Sequence, residues 1–352
     1  MTAPTAPASM DELRVRLERD VIALTASVNA PAGALGVTLG GHAIVAYHGQ
    51  PRPSEHTAFE VGSITKTITT LLLAEMAARG EVHYDDPIGC YLPRHAVPAD
   101  PLAARITLAQ LATHTAGLPR LPPNMPLPPE DEIPAAIDAG FNPYATYLLD
   151  DLYHATAALT PQYPTGQRPV YSIFGIGLLG QLLGNAIGRD WNELAIGRIC
   201  VPLNMSDTVT HHAPHCAVGH RHGHPVEPCT SAALAASGAL RASSADLLAY
   251  LHALLHPDST PLPGPLRQTQ QPRAPIEGRE SICLGWVHRR FRFGDILFHS
   301  GGTFGASAFV GFCPHADVGV FALANGIVTD NSTVSQTPYQ LLKDIARQTT
   351  TI

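Results

Sequence analysis

A serine and a lysine lie three residues apart in this sequence, and together they could make and break acyl bonds. Ser63 and Lys66 occupy positions i and i+3 of the segment at residues 62–66, where a helical pattern begins. On a helix this spacing places both side chains on one face, with Cβ atoms about 5–6 Å apart. A serine hydroxyl becomes nucleophilic when a base takes its proton, and a lysine of lowered pKa can be that base. The pair therefore indicates nucleophilic catalysis at a bound carbonyl.

The rest of the chain makes this lysine unusual. Lys66 and Lys343 are the two lysines among 22 basic residues, and the other 20 are arginines. A lysine in such a chain indicates that a deprotonatable amine is required, which arginine cannot supply. In the alternative interpretation, Ser63 caps its helix and Lys66 is solvated, because a short SxxK match often arises by chance. Apolar neighbours of Lys66, which favour desolvation, support the catalytic interpretation.

Composition excludes several classes of protein. The chain has 352 residues, 45% of them hydrophobic, which suffices for a sizeable core, and it has no apolar run as long as a membrane helix needs. A net charge of −7 with scattered basic residues does not favour a nucleic-acid partner or a membrane partner. Six widely spaced cysteines indicate no disulfide framework. The first 19 residues lack the basic and apolar segments of a signal peptide, so we expect a cytoplasmic protein.

Hydrophobic patterning predicts an α+β fold, with an antiparallel sheet built from the N- and C-terminal segments, flanked by helices, and a mainly helical insertion domain. The predicted helices lie at residues 11–28, 64–79, 106–114, 143–159, 171–187, 191–200, 244–255 and 338–348, and the strands at 36–39, 42–48, 285–288, 296–299, 306–312 and 318–323. We expect residues 1–85 and 280–352 to form the sheet-containing domain and residues 86–279 the helical domain, with the active site at their interface.

Several motifs in one order resemble those of the class C β-lactamase-like serine hydrolases, a family with the penicillin-binding-protein fold that includes esterases, D,D-peptidases and acyltransferases. The resemblance covers nearly the whole chain after the first predicted helix. Its motifs are Val61-Gly62-Ser63-Ile64-Thr65-Lys66, Asp86-Pro87-Ile88 with Tyr91-Leu92-Pro93, residues 106–119, Pro164-Thr165-Gly166 with Tyr171-Ser172, residues 202–208, residues 237–240 and His299-Ser300-Gly301-Gly302. The last of these stands in the place of the family's Lys-Thr-Gly strand motif.

The resemblance implies a role for each matching residue. Ser63 would be the nucleophile, and Lys66 and Tyr171 would share the proton transfers. His299 would orient the leaving group or the attacking nucleophile, and the backbone N–H groups of Ser63 and Gly302 would form the oxyanion hole. The candidate substrate-binding residues are Ile173, Ser300, Gly301 and, from its position alone, Asn124. No metal and no cofactor are implied, and the partners would be a small-molecule acyl donor and acceptor.

One departure from the family pattern bears on the substrate. The family continues its tyrosine motif as Tyr-x-Asn, and here the third residue is Ile173. That asparagine hydrogen-bonds the substrate's amide and the lysine in the family, and isoleucine can do neither. We therefore expect ester cleavage, or acyl transfer to an amine or alcohol, in cytoplasmic small-molecule or secondary metabolism. A β-lactamase or D,D-peptidase, which must work outside the cytoplasmic membrane, is the first alternative, and a non-catalytic binding protein of the same fold is the second.

A histidine-rich segment at residues 211–224, followed by Cys229, contains the usual ligands of zinc. Their spacing fits no common pattern of structural zinc sites, so we expect a solvated loop or a loop at the rim of the pocket. The sequence leaves the oligomeric state open.

Overall fold

A computed structural model describes residues 10–229, 232–327 and 332–350. Its strands in chain order are β1 Ala32–Leu39, β2 His42–Gly49, β3 Phe59–Glu60, β4 His220–Arg221, β5 His224–Pro225, β6 Arg241–Ala242, β7 Ala274–Pro275, β8 Glu280–Ile282, β9 Val287–Phe291, β10 Gly294–Gly302, β11 Ser307–Cys313 and β12 Val318–Ala324. Eight of them form one antiparallel sheet in the order β2-β1-β12-β11-β10-β9-β8-β7. The N-terminal hairpin therefore pairs with the last strand, which confirms the predicted α+β fold.

Helices cover both faces of this sheet. The α-helices are α1 Met10–Ser27, α2 Thr65–Ala78, α3 Pro101–Ala104, α4 Leu108–Ala112, α5 Ile133–Asp138, α6 Leu149–Ala157, α7 Ile173–Ile187, α8 Trp191–Leu194, α9 Ser244–Leu255, α10 Pro263–Thr269 and α11 Ser332–Thr349. Helices α1 and α11 pack on one face, and α9 packs on the other. Alternate side chains of β12 enter the two cores, Val320 on one side and Phe321 on the other, as the pleat of a strand requires. Among the described residues, every helix is too short or too polar to cross a membrane.

Helix α2 lies at the centre of the molecule, and this explains its composition. Every residue from Thr65 to Met76 is buried, so the helix is enclosed by protein on all sides rather than along one stripe. Its threonines donate hydrogen bonds to carbonyl oxygens of the neighbouring loops, Thr69 to Ala236 at 2.6 Å and Thr70 to Leu284 at 2.9 Å. Such bonds offset the cost of burying a hydroxyl. Any ionisable group on this helix is therefore held away from water.

Some helix and strand boundaries differ from prediction for local reasons. The helix expected from residue 143 begins only at Leu149, where the Asp151 carboxylate accepts a hydrogen bond from the Leu148 N–H at 2.9 Å. Gly285 lies in a turn rather than a strand, because its φ of +76° is a left-handed conformation that favours glycine. A Cβ there would also lie 2.5 Å from the Thr70 hydroxyl.

The division into two domains is less sharp than the sequence suggests. The C-terminal strands of the sheet begin with β7 at Ala274, before the boundary expected at residue 280. Helix α9 packs on β1 and β12, although it falls within residues 86–279. Part of the expected helical domain is thus built onto the sheet. Residues 1–9, the first part of the 19 residues expected to lack a signal peptide, lie outside the described residues.

Candidate active site

Close backbone packing places the candidate nucleophile beside the end of β10. Ser63 lies in a single 3₁₀ turn, Gly62–Ile64, that leads directly into α2. Gly62 has a φ of +50°, and a Cβ on it would lie 2.7 Å from the Gly302 nitrogen. A Cβ on Gly301 would lie 1.9 Å from the Val61 carbonyl oxygen. Only glycine at both positions lets the strand reach the turn, so Ser63 and Gly302 become neighbours at one cavity.

The three polar side chains expected at the centre of the site are in contact. The Lys66 ammonium nitrogen donates to Ser63 Oγ at 2.9 Å and to the Ser237 carbonyl oxygen at 2.5 Å. Ser63 Oγ and the Tyr171 hydroxyl share a hydrogen bond of 2.5 Å. Tyr171 lies just before α7, whose N-terminus is capped by the Ser172 hydroxyl. The serine oxygen therefore lies between an amine and a phenol, either of which could take its proton.

Burial and neighbouring charge change the acidity of both of these groups. Burial lowers the pKa of Lys66, which is fully inaccessible to solvent, and the positive charge of Arg120 acts in the same direction. Burial alone would raise the pKa of Tyr171, but Lys66, the Ser63 hydrogen bond and Arg120 together outweigh it and hold that pKa below its ordinary value. Both shifts favour the states in which the pair can accept a proton from Ser63.

Two buried histidines flank Tyr171. The His299 ring centroid lies 6.5 Å from that of Tyr171, and its Nδ1 donates to the Ser300 carbonyl oxygen at 2.7 Å. The His114 ring lies at 4.8 Å, and its Nδ1 accepts a hydrogen bond from the Ser172 N–H at 3.1 Å. Burial, aided by the charge of Lys66, lowers the pKa of His299 to about 4 and that of His114 to about 3. Both rings are therefore neutral at neutral pH.

A cavity of about 460 Å³ opens over these groups. It is lined by Ser63, Arg120, Ile133, Ile137, Tyr144, Ile173, Arg221, Cys229, Leu234, Ser237, Gly238, Ala239, Gly302, Thr303, Phe304 and Ile327. Most of this wall is apolar, and Ser63, Arg120, Arg221 and Thr303 add polar groups to it. This combination is typical of sites for small organic molecules. Ile173, expected to contact the substrate, lies in the wall.

The other three candidate substrate-binding residues lie outside the cavity wall. The Asn124 amide accepts a hydrogen bond from the Tyr147 hydroxyl at 2.7 Å and donates to the Asp151 carbonyl at 2.8 Å, away from the cavity wall. The Ser300 hydroxyl accepts a hydrogen bond of 2.9 Å from Ser335 on α11, because alternate residues of β10 face opposite sides of the sheet. Gly301 packs against the Val61 carbonyl, as described above. None of these three residues lines the cavity, so the structure does not support the expectation that they bind substrate.

Several residues of the cavity were missed by the sequence reasoning. Arg120 follows directly on the motif at residues 106–119, and Phe304 follows closely on Gly302, so adjacency was an available signal for both. His114 lies within that same motif. Helix α5 contributes Ile133 and Ile137, neither of which belongs to a motif.

A buried ion pair supports the wall next to Gly302. Glu60 on β3 accepts hydrogen bonds from the Arg241 guanidinium at 3.0 Å, from the Cys229 N–H at 2.8 Å and from the Thr303 hydroxyl at 2.5 Å. Both charged side chains are almost fully buried. Glu60 therefore joins β3, β6 and the residue that follows Gly302.

We expect Glu60→Ala to lower the free energy of unfolding by about 3–5 kcal/mol, because it leaves the Arg241 guanidinium buried without its counter-charge. Urea denaturation followed by circular dichroism measures the change. Glu60→Gln, which retains an acceptor for Thr303 and Cys229, is the matched control and should cost less. A loss below about 1 kcal/mol in Glu60→Ala would show that the pair is not needed for stability.

The end of the histidine-rich segment forms a small hairpin, β4–β5, and two histidines of the segment bond backbone carbonyl oxygens. Within residues 10–229, 232–327 and 332–350, no cluster of three or more His, Cys, Asp or Glu side chains is placed to hold a metal ion. His220 Nδ1 bonds the Val218 carbonyl oxygen at 2.9 Å, and His215 Nε2 bonds that of Asp207 at 3.0 Å. All six cysteines are free thiols.

Comparison with known proteins agrees with this architecture. The family model described as Beta-lactamase matches residues 17–344. The "D-alanyl-D-alanine-carboxypeptidase/endopeptidase AmpH" of Escherichia coli K12 is 25% identical over 324 residues, with 83% of this chain and 80% of that protein covered. A "Beta-lactamase" of the same organism is 27% identical over 58% of this chain and 49% of its own length, and one of Pseudomonas fluorescens is 28% identical over 61% and 55%. The chain thus belongs to the Beta-lactamase family of serine hydrolases.

Proposed function

We propose that the protein cleaves esters through an acyl-enzyme at Ser63 and passes the acyl group to water, an amine or an alcohol. The observation that carries the proposal is the hydrogen-bonded chain from Lys66 through Ser63 to Tyr171, set in an apolar cavity. Ser63 would supply the nucleophile, and Lys66 and Tyr171 would supply the groups that accept its proton. Here all three are present and in contact.

In the proposed reaction, the Tyr171 oxygen takes the Ser63 proton as Oγ attacks the ester carbonyl. The negative charge on the carbonyl oxygen is stabilised by the N–H groups of Ser63 and Gly302. As the C–O bond to the leaving group breaks, the departing alkoxide receives the proton held by Tyr171, which leaves an acyl-Ser63 ester. An acceptor then gives its proton to the same oxygen and attacks the acyl carbonyl. As the bond between the acyl carbon and Oγ breaks, that proton returns to Oγ and Ser63 is regenerated. When protonated, Lys66 stabilises the phenolate form of Tyr171 by its charge and its hydrogen bond. Because burial lowers its pKa, the Lys66 amine also exchanges protons with Ser63 and Tyr171 during these steps.

The wall of the cavity favours an ester over a lactam or a peptide. Ile173 lies beside Tyr171, and its side chain offers no hydrogen bond to an amide of the substrate. An amide buried there without a partner would lose its bonds to water, whereas an apolar acyl group would gain from the contact. Ile133, Ile137 and Phe304 extend the same apolar surface. We also propose that the protein acts in the cytoplasm, in small-molecule or secondary metabolism.

A β-lactamase or D,D-peptidase is the second candidate. It is favoured by the likeness to AmpH over 83% of the chain, since the name of that protein specifies a carboxypeptidase and endopeptidase. A non-catalytic binding protein is a weaker third candidate, because such a protein has no need of a lowered pKa on Lys66.

Kinetics on three kinds of substrate test the proposed function. We expect 4-nitrophenyl esters to be turned over, faster still when an amine or alcohol acceptor is present, and nitrocefin and a D-Ala-D-Ala peptide to react slowly. If kcat/KM for nitrocefin or the peptide exceeds that for every ester by about tenfold, the second candidate replaces the first. Tight ligand binding with no turnover of any substrate would instead indicate a binding protein.

The proposed roles also predict how the rate depends on pH. The acid limb of kcat/KM should arise from the Lys66–Tyr171 pair, since protonation of that pair as the pH falls removes the base for Ser63. His299, with a pKa of about 4, stays neutral above about pH 5 and should not contribute. We therefore expect His299→Gln to lower the rate but to leave the midpoint of the acid limb unchanged, in profiles of kcat/KM recorded between about pH 5 and 10. A shift of the midpoint by more than about half a unit would assign the limb to His299.

A further inference from the structure

Arg120 projects a positive charge into the cavity beside the reacting groups. Its side chain is exposed, and its guanidinium carbon lies 5.4 Å from the centre of the Tyr171 ring. The Arg120 carbonyl oxygen accepts hydrogen bonds from the N–H groups of Ile173 at 2.8 Å and Phe174 at 3.2 Å, which fixes the Arg120 backbone against the start of α7. These bonds fix the position of Arg120 relative to Tyr171.

Among the described residues, no acidic side chain pairs with Arg120, although its charge lowers the pKa of Tyr171. Its guanidinium makes neither a hydrogen bond nor an ion pair with them, and no acidic side chain is part of the cavity wall they form. The second arginine of the wall, Arg221, is paired with Asp138 at 2.5 Å. Burial raises the pKa of Tyr144 and of Cys229 to about 12, so these two wall residues are neutral. An anion in the cavity would therefore meet one guanidinium that no carboxylate of the described residues neutralises.

We propose that Arg120 binds a carboxylate of the substrate, so that the preferred substrates are esters that combine an apolar portion with a carboxylate. This proposal rests on the proposed ester-cleaving function. A guanidinium matches a carboxylate with two parallel hydrogen bonds, which fixes orientation as well as adding affinity. The apolar wall formed by Ile133, Ile137 and Phe304 would hold the rest of the molecule while the scissile carbonyl lies over Ser63.

Arg120 also acts on every substrate through the pKa values of Lys66 and Tyr171, both of which its charge lowers. That effect is the same for a neutral ester and for an anionic one. Recognition of a carboxylate affects only the anionic ester. The ratio of the two kcat/KM values therefore isolates carboxylate recognition, even if Arg120→Ala slows both reactions.

The test uses two pairs of esters that differ only by methylation of one carboxylate. In the first pair, 4-nitrophenyl hydrogen glutarate and 4-nitrophenyl methyl glutarate, the carboxylate is on the acyl side. In the second, 4-carboxyphenyl butyrate and its methyl ester, it is on the leaving-group side. We expect the wild type to prefer the carboxylate form of one pair by about tenfold in kcat/KM. Arg120→Ala should bring that ratio to about one, and Arg120→Lys should keep part of it.

Arg292→Ala is the matched control, because it removes an exposed arginine outside the cavity and should keep the wild-type ratio. High salt should reduce the wild-type preference, since the contact is partly exposed. Turnover of the neutral esters with no preference in either pair, or a preference that survives in Arg120→Ala, would overturn the assignment of Arg120 alone. No turnover of any of the four esters would overturn the proposed function and this proposal with it.

Discussion

Replacing Ser63 with alanine should abolish covalent labelling by a fluorophosphonate and lower kcat/KM for esters by at least about a thousandfold. The reason is geometric. Ser63 Oγ accepts from Lys66 at 2.9 Å and bonds Tyr171 at 2.5 Å, and no other hydroxyl of the described residues bonds both groups. Labelling is read by in-gel fluorescence, and kcat/KM from the release of 4-nitrophenol.

A second serine provides the control for this experiment. Ser300 lies on the strand next to Gly302, but its hydroxyl accepts a hydrogen bond from Ser335 on the far side of the sheet. Ser300→Ala should therefore be labelled as the wild type is. Labelling that persists in Ser63→Ala would show that another residue is the nucleophile, and the proposed reaction would be wrong.

The second large effect is expected from Lys66→Arg, which retains a positive charge but introduces a group that cannot be deprotonated. Loss of an amine that exchanges protons with Ser63 and Tyr171 should lower kcat by about a hundredfold to ten-thousandfold, the range typical of general acid–base catalysis. The lowered pKa of Lys66 is the structural basis for this expectation. Steady-state ester kinetics on the purified variant measure the change.

The chain supplies its own control, because its other lysine lies far from the site. Lys343 on α11 faces the Phe291 ring at 5.5 Å, and Lys343→Arg should keep wild-type activity. Since arginine is larger than lysine and position 66 is fully buried, thermal melts must show that the variant folds, and Lys66→Met tests the loss of the amine without added bulk. Activity of Lys66→Arg within about tenfold of the wild type would mean that only the charge of Lys66 matters.

The parts of the site that could be predicted were those set by local geometry. The spacing of Ser63 and Lys66 on one helical face needs only the period of a helix, and the structure places their side chains in hydrogen-bond contact. Tyr171 and His299 are separated from this pair by more than a hundred residues. They were found through the resemblance to a family and not from the residues alone.

The parts that were missed depend on non-local packing. Ser300 and His299 are adjacent in the chain, yet they face opposite sides of β10, and a motif that contains both does not say which one faces the cavity. Asn124 was placed near the cavity by position, but its amide is bonded to Tyr147 and Asp151. Arg120 became a candidate only when its distance to the Tyr171 ring was known.

The sheet was predictable for a different reason. Alternating and β-branched residues at the two ends of the chain predicted strands there. An antiparallel sheet can pair strands that are distant in the sequence. The pairing of β1 with β12, with Ala34 opposite Leu323, joins the N-terminal hairpin to the C-terminal strands. The boundary of the helical domain was less predictable, because α9 carries a helical pattern whether it packs on a sheet or on other helices.

The most direct test of the account is the identity of the residue that carries the acyl group. The wild-type protein is mixed with a 4-nitrophenyl ester, quenched in acid during turnover, digested and analysed by mass spectrometry. The account predicts the mass of the acyl group on the peptide that contains Ser63, and its loss from that peptide when an amine acceptor is added before the quench. Turnover in which Ser63 stays unmodified in every quenched sample, or an acyl group on another residue, would contradict it.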